Sequence, residues 1–133
     1  MKTTLKLLKL LTLAGMLLAP SVYAAEKIIV LEDNKAILGN WNIHHESAAL
    51  HKEKVSINND WSFGRDGWIT AVSRDRRMSS AQGIKIKYSI VDGVIRKQFA
   101  PGREKYEDCK VIKLEGKEMI LHCKFNYFFM TKK

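Results

Sequence analysis

Histidine side chains offer the most varied chemistry in this sequence, since an imidazole can ligate a metal, transfer a proton or switch charge. The four histidines are His44, His45, His51 and His122. Successive residues of a regular β-strand point to opposite faces, so His44 and His45 are not expected to share one ion. There is no H-E-x-x-H pair and no spare cysteine ligand. The pattern therefore favours solvated histidines over a metal or haem site, and leaves the roles of the first three open.

Two cysteines, Cys109 and Cys123, lie on either side of a turn at residues 115–117. If those three residues form a hairpin loop, Leu114 faces Glu118, and the same register places the two sulfurs directly across the ladder. A disulfide is the predicted outcome, with two free buried thiols as the alternative. The bridge would close a loop of about 15 residues. By reducing the entropy of the unfolded chain, it should raise the free energy of unfolding by about 3 kcal/mol.

Basic residues crowd the middle of the chain, where nine lie between residues 74 and 105. An antiparallel meander would bring them onto adjoining strands and loops, where they could bind an acidic protein or a phosphate group. The predicted partner-binding patch is Arg74, Arg76, Arg77, Lys85 and Lys87. The alternative is that these charges only keep an outer strand face soluble and protected from edge pairing.

No catalytic motif accompanies these groups. The sequence has no G-x-S-x-G elbow and no glycine-rich phosphate loop. Asp60, Asp66 and Asp92 fall at predicted turns or strand ends, where turn formation explains them. We therefore predict no catalytic residue and no cofactor, and expect a protein that is not an enzyme.

Period-two alternation dominates the chain and predicts the elements that must position these residues. Strands are expected over residues 37–45, 55–63, 68–72, 84–90, 94–99, 106–114 and 118–130. Asp-Gly pairs at 66–67 and 92–93 supply tight turns, whereas residues 46–54 suit either a helical turn or a loop. The expected fold is all-β, an antiparallel meander that closes into a small barrel.

Regular alternation also predicts which side chains face the barrel interior. Trp41, Ile43 and His45 would share one face of the first strand, which places His45 inward near one end of the barrel. Tyr88 lies on the apolar face of the strand at 84–90. The predicted ligand-binding residues are accordingly His45, Ile43 and Tyr88. In the closing strand, Phe125, Tyr127 and Phe129 are predicted to share the packed face with the cysteines.

Composition and the first residues set the class of protein and its compartment. The chain has 133 residues and 46% hydrophobic content, which suits one globular domain and excludes wholesale disorder. Residues 1–24 have a lysine-bearing start, a short apolar run and small residues before a cut after Ala24, as in a bacterial secretory signal peptide. Lys9 interrupts the run, which disfavours a membrane anchor. The prediction is a domain at residues 25–133 in the periplasm or medium, with no nucleic-acid partner and no stable membrane insertion.

Several motifs in order resemble small bacterial lipocalin-like domains of the calycin type. They are Leu38-Gly39-Asn40-Trp41, the D-G turn after Phe63, the segments at 88–95 and 114–121, and the aromatic closing strand. The resemblance spans residues 36–132 and implies an antiparallel barrel in which Trp41 packs across the closed end. The chain is shorter than a full ligand-carrying lipocalin.

The expected function is non-catalytic binding by an exported protein, with a small hydrophobic or amphipathic ligand in the barrel mouth. The alternative is a periplasmic inhibitor or immunity protein that binds a hydrolase or toxin through the basic patch. The sequence does not identify the ligand, or the envelope or effector protein that such a patch would bind.

Overall fold

The computed structural model describes residues 26–74 and 83–133. The predicted signal peptide at 1–24, and Arg76 and Arg77 of the predicted patch, lie outside these residues. A short 3-10 helix, Lys35–Ile37, precedes eight strands. The strands are β1 (Gly39–Ser47), β2 (Val55–Phe63), β3 (Trp68–Ser73), β4 (Ile84–Val91), β5 (Val94–Gln98), β6 (Tyr106–Glu115), β7 (Glu118–His122) and β8 (Tyr127–Lys132).

The eight strands form a closed antiparallel barrel. Each strand pairs with the next along the chain, and β8 pairs back onto β1. The predicted all-β meander and its closure into a barrel are confirmed. No helix in the described part of the chain is both long and apolar enough to cross a membrane.

The two ends of the barrel differ. One end, called the closed end here, has the tight turns that follow β2, β4 and β6, and the 3-10 helix leads into β1 at this end. Gly93 in the second of these turns has φ 82°, and a Cβ there would lie 2.5 Å from Val30 Cγ1, so this position requires glycine. At the other, the loop end, the connections at 48–54, 99–105 and 123–126 are longer.

The core fills the closed half of the barrel. Trp41 is fully buried, and its Nε1 donates a hydrogen bond of 2.9 Å to the Ile37 carbonyl. This bond holds the 3-10 helix at the closed end of the barrel and provides the buried indole N–H with an acceptor. The other completely buried large side chains include Phe63, Ile69, Ile95, Met119, Leu121 and Met130.

The predicted face of β1 is wrong beyond Ile43. A β-bulge shifts the register between Ile43 and His45: Ile43 pairs with the core residue Met130, but His45 pairs with Phe129. Neighbours on a strand face opposite ways, so His45 lies on the outer face rather than on that of Trp41. Strict alternation cannot foresee one extra residue in a strand.

The predicted closing strand at 118–130 is two strands. β7 ends at His122, and the chain turns through 123–126, where the Cys123 N–H donates to the Asn126 carbonyl at 2.9 Å. Because of this turn, the side chains beyond it do not face the sides that a continuous strand predicts. Phe125 is 68% exposed, whereas Phe128, which was not predicted inward, packs against the core. Phe129 is buried, but it lies beneath the Lys54 ammonium, 4.2 Å from the ring centroid.

The disulfide prediction is confirmed, although the turn that led to it differs by one residue. Glu115 pairs with Glu118, so the hairpin loop has two residues. A bulge between Val111 and Lys113 then restores the register assumed from the sequence. Cys109 and Cys123 are bonded, with an S–S distance of 2.00 Å, and both are buried.

Candidate ligand and partner sites

The three predicted ligand-binding residues do not meet. His45 lies on the outer face of β1, where Ser56 Oγ is 3.3 Å from its Nε2. Ile43 is 1% exposed in the core. Tyr88 belongs to the closed end, where its hydroxyl donates to the Gly64 carbonyl at 2.6 Å and accepts from Asn34 Nδ2 at 3.0 Å. Burial raises the pKa of the Tyr88 phenol, in keeping with a structural role.

A polar and aromatic layer crosses the barrel above the core. Trp61 packs against Phe128 with ring centroids 5.4 Å apart, and Lys97 Nζ lies 5.2 Å from the Trp61 ring. Lys97 also donates to Glu107 Oε2 at 2.6 Å, with both side chains less than a tenth exposed. The remaining Glu107 oxygen accepts from the Lys124 N–H at 3.2 Å. This buried pair is satisfied, as an interior ion pair must be.

Sequence reasoning missed this layer because it counted Lys97 with the basic surface cluster. A signal was present: Lys97 stands two residues after Ile95, so both lie on the same face of β5. A lysine on an apolar strand face needs an acidic partner, and Glu107 is its cross-strand neighbour.

Large apolar side chains are left exposed around the loop end. Val55 and Ile84 lie at the strand ends there, and Phe99 and Phe125 lie in the adjoining loops. The two phenylalanine rings are 6.5 Å apart, and Lys124 Nζ lies over both. We call Leu50, Val55, Ile84, Phe99 and Phe125 the apolar rim; their exposed fractions range from 38% to 68%.

The predicted basic patch is only partly present among the described residues. Arg74 forms a short hydrogen bond to Asp60, which also accepts from Lys133 Nζ and Asn42 Nδ2, both at 2.9 Å. Burial alone would raise the pKa of Asp60, but these hydrogen bonds and the Lys133 charge lower it to about 2. Arg74 is therefore engaged in neutralising a buried carboxylate.

Lys85 and Lys87 are exposed, and both lie near one aromatic ring. Their ammonium groups are 5.4 Å and 5.6 Å from the centroid of Trp68, which is itself partly exposed. A tryptophan with two cations near its ring offers an apolar contact surface beside positive charge, a composition common at protein interfaces.

Three further groups that could do chemistry, Glu26, His122 and Tyr127, bind one another. Glu26 accepts hydrogen bonds from the Tyr127 hydroxyl at 2.7 Å and from His122 Nδ1 at 2.8 Å. Burial and the bond to Glu26 raise the pKa of Tyr127 to about 12. Among the described residues, one group of three potential metal ligands is close enough, Glu107 with Cys109 and Cys123. Its sulfurs are bonded to each other, so it has no thiolate to offer a metal.

Comparison with known proteins gives no relative: no protein-family model, curated protein or solved structure matches this chain. The barrel and its side chains are therefore the basis for any statement about function.

Proposed function

We propose that this chain is a non-catalytic binding protein of lipocalin-like, calycin type that takes a small hydrophobic or amphipathic molecule at its loop end. It would act in the periplasm or medium of a bacterium, after removal of residues 1–24.

The apolar rim carries this proposal. Soluble proteins expose single apolar side chains everywhere, but five large ones at the same end of one barrel are typical of a binding surface. Val55 lies on the face of β2 that also carries Ile57 and Trp61, and Ile84 precedes Ile86 on the inward face of β4. A ligand entering here would contact aliphatic walls first and the Trp61–Phe128 layer below.

A positive charge near the opening favours an amphipathic ligand with an acidic group. Lys124 lies over the two rim phenylalanines. Its ammonium group stands beside apolar surface, so it could contact an acidic head group while the rim covers an apolar tail.

A matched pair of valines tests the site. Val55 is 57% exposed at the loop end, and Val91 is 38% exposed at the closed end. We expect an anionic naphthalene dye to bind the wild type saturably, Val55→Ser to weaken this binding several-fold, and Val91→Ser to leave it unchanged. No saturable binding, or equal loss in both variants, would remove the proposal.

The second candidate is a protein inhibitor or immunity protein that acts through the outer face of β3 and β4. The Trp68 ring with Lys85 and Lys87 near it favours this function, since aromatic and cationic side chains are enriched in binding hot spots. The occupant would be an acidic surface on a hydrolase or toxin. Hydrolase inhibition that is lost in Lys85→Glu/Lys87→Glu and kept in Val55→Ser would establish this function in place of the first.

A further inference from the structure

The β1 bulge that displaces His45 also brings the two neighbouring histidines together. His44 and His45 lie with ring centroids 5.0 Å apart and planes at 83°. Their Nδ1 atoms are 2.7 Å apart. On a regular strand these side chains would diverge to opposite faces, so the juxtaposition depends on the bulge.

We propose that His44 and His45 form a two-nitrogen chelate for a divalent transition metal that favours square-planar geometry, Cu(II) above all. The site lies on the outer face of the barrel and is separate from the loop-end ligand site proposed above.

The separation of the two nitrogens selects the geometry. Two imidazole nitrogens about 2.0 Å from one ion, and 2.7 Å from each other, subtend about 85° at the ion. Tetrahedral zinc would need the nitrogens about 3.3 Å apart at the same bond length. An angle near 90° belongs to tetragonal Cu(II) or Ni(II), and Cu(II) is the stronger binder in the divalent series.

The groups around His44 and His45 favour metal binding by the two rings. In the hydrogen bond between the two rings one Nδ1 carries the proton, and ligation of an ion by both Nδ1 atoms requires that this proton move to the Nε2 of the same ring. Ser56 Oγ, 3.3 Å from His45 Nε2, orients the second ring from its far side, as outer partners of metal ligands commonly do. Both histidines are only partly buried, which leaves room for water at the remaining positions.

The charge balance near the pair is mixed. Lys54 opposes a cation beside His44, whereas Glu118 acts on the same ring with the opposite sign. Two protein ligands and this balance predict binding weaker than that of a four-ligand structural site.

The test is Cu(II) titration of protein purified without a polyhistidine tag, followed by calorimetry and electron paramagnetic resonance. We expect one equivalent to bind with an axial spectrum that shows nitrogen coupling. His44→Gln and His45→Gln should each weaken binding at least tenfold, since each leaves one imidazole. Gln keeps a polar, hydrogen-bonding side chain, and near-ultraviolet circular dichroism checks that each variant is folded.

His51→Gln is the matched control, because His51 is exposed in the loop after β1. It should bind Cu(II) like the wild type. If the two bulge variants keep wild-type affinity, or if His51→Gln loses as much as they do, the Nδ1 contact is only a hydrogen bond between two rings and the metal site is rejected. If a variant does not fold, competition between Zn(II) and Cu(II) for the wild-type protein takes its place in the test. Equal affinity for the two ions also rejects the proposed site.

Discussion

The two ends of this barrel are built in opposite ways. At the closed end, tight turns and a short 3-10 helix cover Trp41, and each buried polar atom described there has a partner. At the loop end the connections are longer, and the cross-barrel layer is built around an ion pair. Two phenylalanine rings, Phe99 and Phe125, are exposed there, whereas exposed apolar side chains of the closed end, such as Val91, are aliphatic. Exposed aromatic rings therefore distinguish the loop end as the candidate binding surface.

The largest expected effect is at Trp41. Trp41→Ala should lower the free energy of unfolding by about 3–5 kcal/mol, because it empties a fully buried aromatic site. It also leaves the Ile37 carbonyl without its indole donor. Urea unfolding followed by circular dichroism measures this loss. A variant as stable as the wild type would show that the closed end does not carry the fold.

The disulfide should have the next largest effect, and it fastens the loop-end half of the barrel. Changing both Cys109 and Cys123 to Ser should cost about 2–5 kcal/mol, mainly by freeing the unfolded chain. Thiol titration of the unreduced, denatured wild type should find no free sulfhydryl. Two titratable thiols, or a serine variant of unchanged stability, would contradict this.

Asp60 should make the free energy of unfolding depend on pH. Its folded pKa of about 2 lies below the ordinary value of 3.8, so its contribution is complete above about pH 4 and is lost as the pH falls toward 2. The loss is at most about 2 kcal/mol, since the Arg74 and Lys133 partners are half exposed and screened by solvent.

Asp60→Asn should therefore reduce the difference in unfolding free energy between about pH 5 and pH 2. Asp92→Asn, which removes one carboxylate from an exposed turn, is the control for the loss of a charge alone. Equal pH dependence in both variants would contradict the assignment to Asp60.

The strand pattern and the disulfide could be predicted from the sequence because they depend on local alternation and on register near one turn. The structural role of Trp41 was implied by the resemblance of Leu38-Gly39-Asn40-Trp41 to a lipocalin-like motif. The disulfide prediction holds because the shorter turn and the bulge between Val111 and Lys113 cancel each other in the register.

The candidate site could not be predicted, because it depends on single-residue irregularities. The bulge after Ile43 moved His45 to the outer face and brought it against His44. The turn at 123–126, which separates β7 from β8, leaves Phe125 exposed and places Phe128 against the core. Alternation carries no signal for an inserted residue, and each insertion reverses every face beyond it.

The smallest effect on stability, and the sharpest contrast between the two ends, is expected at Phe125. Phe63 is 2% exposed at the closed end, whereas Phe125 is 68% exposed on the rim. The same deletion, Phe to Ala, should cost about 3–5 kcal/mol at Phe63 and less than about 0.5 kcal/mol at Phe125.

Phe125→Ala should nevertheless weaken binding of the anionic dye, because the ring contacts Phe99 and lies beneath Lys124 at the proposed opening. Phe125→Ala would then lower the affinity for the dye while leaving the free energy of unfolding nearly unchanged. If Phe125→Ala instead destabilises the fold by more than about 1 kcal/mol, the ring is part of the packed structure. The rim would then lose the exposed surface on which the ligand proposal depends, and the outer face around Trp68 would become the better candidate.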